Sequence, residues 1–134
     1  MAERISRLVG VYDADGSVLG ELRYFVGARL GRTHCSLCDV THGLVRERPE
    51  WRTTRDRLPA PFVTFHRDDQ PSGVRAATAG DLPAVLAETT AGALVRLAGP
   101  EELRACAGSP AALSELVEST VSARGLEWPD RAAG

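Results

Sequence analysis

Leu82-Pro83-Ala84-Val85-Leu86-Ala87-Glu88-Thr89-Thr90-Ala91-Gly92-Ala93-Leu94-Val95-Arg96-Leu97 is the stretch whose reading decides the fold. Two short apolar runs, Pro83–Glu88 and Ala93–Leu97, flank Thr89-Thr90-Ala91-Gly92. Runs of strand length joined by a few small and polar residues ending in glycine read as a β-hairpin. Upstream, Phe62–His66 (FVTFH) is aromatic and β-branched and reads as another strand. The polar stretch from Arg67 to Asp81 between them has helical character in its middle at best. Downstream, Pro100-Glu101-Glu102 opens a helix. A further helix begins at Ser109-Pro110, an N-cap and first turn, with Leu113, Leu116, Val117 and Val121 as its apolar stripe.

The first half is less regular. Ile5–Tyr12 (ISRLVGVY) reads as a strand closed by the turn residues Asp13-Ala14-Asp15-Gly16. From Ser17, the residues Val18, Leu19, Leu22, Phe25, Val26 and Leu30 recur at helical spacing, with Ser17 as N-cap and Gly31 as stop. Gly20 and Gly27 interrupt that pattern, and a hairpin through Gly16 is the alternative. A second helix is predicted from Thr33 to Gly43, and a third from Pro49 to about Arg57, before Pro59 and Pro61. A helix between strands, then a hairpin and a closing helix, implies an α/β fold with a small mixed sheet and flanking helices. The expected organisation is one domain over residues 1–126, with a frayed tail at 127–134.

The order from Phe62 onward resembles the second half of a thioredoxin fold, and the resemblance extends to Leu82-Pro83-Ala84. Thioredoxin-like proteins place a cis-proline there, at the start of a strand beside the active cysteines. The resemblance therefore implies a cis Pro83; by its own chemistry, a trans proline suits a strand's first residue equally well.

Composition removes several classes of chemistry. Of 134 residues, 43% are hydrophobic and 25% charged, as in ordinary globular proteins. All 16 basic side chains are arginine. Without lysine there is no Schiff base, no lysine general base and no phosphate-loop lysine. A formal charge of -2 argues against nucleic acid or an anionic membrane as partner. No apolar run reaches the roughly 18 residues that span a bilayer. The opening MAERISRLVG lacks the apolar core of a signal peptide, so a cytoplasmic location with reduced thiols is expected.

The densest chemistry is Thr33-His34-Cys35-Ser36-Leu37-Cys38-Asp39-Val40-Thr41-His42-Gly43, which holds two of the three cysteines and two of the three histidines. At about 100° per residue, Cys38 lies about 300° and His42 about 340° from Cys35, so in a helix the three share a face about 60° wide. His34 lies about 100° off that face. Two thiolates and an imidazole suit zinc or another soft divalent ion. The fourth position falls to His34, His66, Cys106 or water. A protein ligand there makes the site structural; a water leaves it open for catalysis.

The same residues carry a redox alternative. With Thr33 as N-cap, Cys35 falls in a helix's first turn, where the free N–H groups favour a thiolate and Cys38 can act as the resolving thiol. The segment resembles the Cys-x-Leu-Cys element of the thioredoxin-like DCC family of thiol-disulfide oxidoreductases, which implies a thiol or disulfide partner. In that family the motif directly follows a strand and a Tyr-Asp-Gly-Asp sequence; here residues 14–34 separate Tyr12-Asp13 from Cys35. The wider stretch from Gly20 to Gly43 is also similar to a group of small bacterial proteins of unassigned activity. His42, for which a dithiol mechanism has no use, favours metal. A third possibility is an interaction module in which the cysteines only pack.

Three other patterns are weaker. Val11-Tyr12-Asp13-Ala14-Asp15-Gly16-Ser17-Val18-Leu19 resembles the first motif of haloacid-dehalogenase-type phosphatases, with Asp13 and Asp15 in the reacting roles. The lysine and the later acidic pair of that family are missing, so a turn closing a strand is the better reading. Gly27-Ala28-Arg29-Leu30-Gly31-Arg32-Thr33 has three residues between its glycines and an arginine where a phosphate loop has four and a lysine. Arg46, Arg48, Arg52, Arg55 and Arg57 surround Trp51 but are offset by Glu47, Glu50 and Asp56, the pattern of a solvated helix face.

Overall fold

The computed structural model describes residues 3–13, 37 and 48–129. It contains a four-stranded mixed sheet. Strand β1 (Ile5–Val11) pairs in parallel with β2 (Phe62–Phe65) and antiparallel with β3 (Ala84–Thr89), which pairs antiparallel with β4 (Leu94–Ala98). The order across the sheet is β2-β1-β3-β4, and β3 runs against the other three. The continuous apolar run of β1 suits its central place, because Leu8, Val9 and Val11 are buried on both faces.

Helices cover the two faces. Helices α1 (Pro49–Arg57), α3 (Pro100–Ala105) and α4 (Pro110–Ala123) contribute Trp51, Leu103, Leu113, Val117 and Val121 to the larger core, with Ile5, Leu8, Tyr12, Val85, Ala87 and Leu97 from the strand side. Helix α2 (Ser72–Thr78) supplies Val74 to a smaller cluster on the opposite face with Val9, Val11 and Leu86. Helix α4 starts as expected: Ser109 accepts a hydrogen bond from the Ala112 N–H at 3.2 Å, with Pro110 in the first turn. Leu113, Val117 and Val121 of its stripe are buried, while Leu116 is half-buried against the core.

The hairpin, the helix opening at Pro49, the one opening at Pro100 and the short helix within Arg67–Asp81 all match the sequence reading. Gly92 adopts a positive φ of 85°, and the Thr89 hydroxyl accepts from the Ala93 N–H at 3.1 Å, which closes the turn. The Leu82–Pro83 peptide is cis. The expected fraying at Glu127 is not found there. Its N–H donates to the Glu3 carbonyl at 2.9 Å and its carbonyl accepts from the Ile5 N–H at 2.8 Å, forming a parallel bridge at Arg4. Such pairing between chain ends leaves no local signal. The predicted turn at Asp13–Gly16 beyond Asp13, the helix from Ser17 and residues 130–134 lie outside the described residues.

Gly10 shows how tightly the larger core closes on β1. A Cβ at this position would stand 2.8 Å from Phe62 Cε1 and 3.3 Å from Leu37 Cδ2. Phe62 is itself braced edge-on by Trp51, ring centroids 5.0 Å apart at 82°. Gly10→Ala is therefore expected to lower the unfolding free energy by about 1–3 kcal/mol, the range for overpacking a filled core. Denaturant unfolding measures it, and an unchanged midpoint would contradict the close approach of Phe62 and Leu37.

Candidate functional site at the carboxyl end of the parallel strands

In open α/β sheets, ligands collect beyond the carboxyl ends of the strands, where connections diverge. Here that end is built from Tyr12 and Asp13 after β1, His66 to Gln70 after β2, and the cis Leu82–Pro83 peptide, which leads into Ala84 opposite Val11. The parallel register brings the first two together: the Tyr12 N–H donates to the Phe65 carbonyl at 2.9 Å.

His66 was expected at the end of the strand but lies just past it, because Asp69 takes its backbone N–H. One carboxylate oxygen of Asp69 accepts that N–H, and the other lies 3.1 Å from His66 Nδ1. A carboxylate only accepts, so this contact assigns the proton of a neutral ring to Nδ1. The imidazole packs against the Tyr12 ring at a centroid distance of 5.4 Å. Arg67 reaches Asp13 at 3.3 Å; both side chains are well exposed, and such a pair contributes about 0–1 kcal/mol. The turn is tied to α2 through Gln70, which donates to the Arg67 carbonyl at 3.1 Å and accepts from the Thr78 hydroxyl at 3.4 Å. Sequence reasoning missed the histidine–carboxylate contact; its signal was His66 and Asp69 three residues apart in a polar turn after a strand.

Of the candidate ligands, His34, Cys35, Cys38 and His42 lie outside the described residues. Leu37, between the two cysteines, is helical and fully buried in the larger core, with its side chain over Gly10. Among the described residues, no group of three or more metal-ligating side chains comes together.

Cys106 is buried at the end of α3, with its Sγ 3.5 Å from the Glu102 carbonyl. Desolvation pushes its thiol pKa up, which opposes the thiolate that a metal ligand must be. Because folding favours the protonated form, this contribution is complete below the ordinary thiol pKa and is lost as pH rises through and above it. Cys106→Ala is expected to flatten the decline in stability above about pH 8.5. Unfolding midpoints between neutral and alkaline pH measure this, and equal slopes in variant and parent would contradict it.

Two of the weaker patterns touch described residues. Asp13 is engaged by Arg67. Trp51 is 1% exposed against Phe62, which removes the aromatic face that a nucleic-acid clamp would need. Among the described residues, no helix is long and apolar enough to cross a membrane. No family model, curated protein or solved structure matches the chain.

Proposed function

We propose that this chain is a thioredoxin-like α/β protein that binds zinc, or another soft divalent ion, through Cys35, Cys38 and His42, with His34 among the candidates for the fourth position. The observation that carries the reading is the burial of Leu37 over Gly10. Leu37 is helical and fully buried, and at helical spacing Cys35, Cys38 and His42 share one face. Two thiols and an imidazole match the donor set and tetrahedral preference of zinc. The thioredoxin-like part is supported by the strand order β2-β1-β3-β4, by β3 running against its neighbours and by a cis-proline at the start of β3.

That same arrangement favours a second reading, a thiol-disulfide oxidoreductase or redox sensor in which Cys35 attacks, Cys38 resolves and Pro83 faces them. Titrating the reduced protein with zinc against a chromogenic chelator separates the two. The metal reading predicts uptake of about one equivalent with release of thiol protons. No uptake, together with a Cys35–Cys38 disulfide that equilibrates with a glutathione buffer, would overturn it in favour of the second.

A further inference from the structure

Strand β1 begins with a bulge. Ile5 pairs with Thr89 and Arg7 with Glu88, so three residues of β1 stand against two of β3. Ile5 and Leu8, three positions apart, would face opposite sides of a regular strand, yet both lie in the larger core. The bulge also aims their N–H groups at one edge. The Arg4 carbonyl accepts from the Thr90 N–H on the β3 side at 2.8 Å, so the Ile5 N–H points away from β3. On that outer edge Leu8 donates to the Pro61 carbonyl at 2.7 Å, where β2 begins, and Ile5 donates to the Glu127 carbonyl at 2.8 Å. Glu127 thus takes the outer-strand place in line with β2, beside Glu3–Ile5.

The hold on this segment is light. Glu127 makes two main-chain hydrogen bonds and an ion pair with Arg4 at 3.3 Å in which both side chains are well exposed. Leu126 and Trp128 on either side of it are half-buried against the core. The turn that delivers the segment closes α4: the Leu126 N–H donates to the Val121 carbonyl at 3.0 Å, and Gly125 has a φ of 69°. A Cβ on Gly125 would meet nothing within 4 Å, so backbone conformation alone favours glycine there. A segment held this lightly, by a turn with one left-handed residue, opens without the rest of the fold. Opening bares a strand edge, and an extended segment of matching side chains pairs with such an edge.

We propose that the Glu3–Ile5 edge of β1 is a strand-acceptor site whose second occupant is the Leu126–Trp128 segment of another copy of this chain, the two copies trading segments about a twofold axis. The chemistry of that occupant is the one already seated there: an extended main chain with an acid for Arg4 between two apolar anchors. A second copy carries the same segment and the same edge, so each trade restores every bond that opening breaks. Within one chain the segment competes at an effective concentration on the order of millimolar. The parent is therefore expected to be monomeric in the micromolar range and to dimerise toward the millimolar.

Analytical ultracentrifugation of the full chain over a concentration series tests this. Gly125→Val disfavours the closing turn without touching the packing, and is expected to lower the dimerisation midpoint at least about 10-fold. Adding Glu127→Pro removes the N–H that the Glu3 carbonyl receives, so the double variant is expected to be monomeric again. A folded Gly125→Val chain that stays monomeric wherever the parent does overturns the proposal, as does a double variant that dimerises like the single one. Hydrogen exchange of the parent needs no variant to fold. The Ile5 and Glu127 amides are expected to exchange at a common rate, faster than the Leu8 amide on the same edge. Equal protection of all three would mean that the segment opens only with the whole fold, and that too overturns the trade.

Discussion

Cys38→Ser is expected to lower zinc affinity by more than about 100-fold. The reference is the loss of about 10–100-fold that follows from removing a partner that merely orients a ligand. Serine keeps the volume and removes the thiolate, so removing a direct ligand must cost more than removing an indirect one. Cys35→Ser and His42→Ala should match it. Since zinc bound only by the folded state adds stability that grows with the logarithm of its concentration, these variants should also lose the zinc-dependent rise in melting temperature. Competition with a chelator of known affinity reads the first effect and a thermal scan with and without zinc reads the second. A Cys38→Ser protein that retains parental affinity would remove Cys38 from the ligand set.

Trp51→Ala carries the largest expected loss of stability. Its indole is 1% exposed, packs edge-on against Phe62 and lies in the core that β1 and α4 share. Truncating such a residue costs about 3–5 kcal/mol, because the cavity cannot collapse onto a sheet and a helix at once. The aromatic contact accounts for about 0.5–1.5 kcal/mol of this. Trp128 is the internal control: it is partly buried at the margin of the same core, so Trp128→Ala should cost clearly less. Denaturant unfolding of both variants gives the comparison. A Trp51→Ala loss below about 1 kcal/mol would place the indole outside the core.

What could be read from the sequence was local. The hairpin was legible because Thr89-Thr90-Ala91-Gly92 breaks two apolar runs, and α4 because Ser109 and Pro110 set both its cap and its first turn. Ile5–Tyr12 was legible as a strand, although its central place between β2 and β3 was not. What could not be read depends on distant partners. Nothing in ISRLVGV says that Gly10 must lack a Cβ; that requirement comes from Phe62 across the parallel register and from Leu37. Glu127 was expected to fray, yet it pairs beside Arg4 through main-chain hydrogen bonds that no side chain announces. The site divides the same way. The crowding of Cys35, Cys38, His34 and His42 is visible in the sequence, whereas the contact of Tyr12 with His66 exists only because β1 and β2 end side by side.

The central claim is that a metal ion is held at Cys35, Cys38 and His42, and the metal content of the protein purified without chelator tests it most directly. Elemental analysis is predicted to find about one zinc, or another soft divalent ion in its place, per chain, and none in the Cys35→Ser variant. A metal-free parent that takes up no zinc when it is supplied to the reduced protein would contradict the claim.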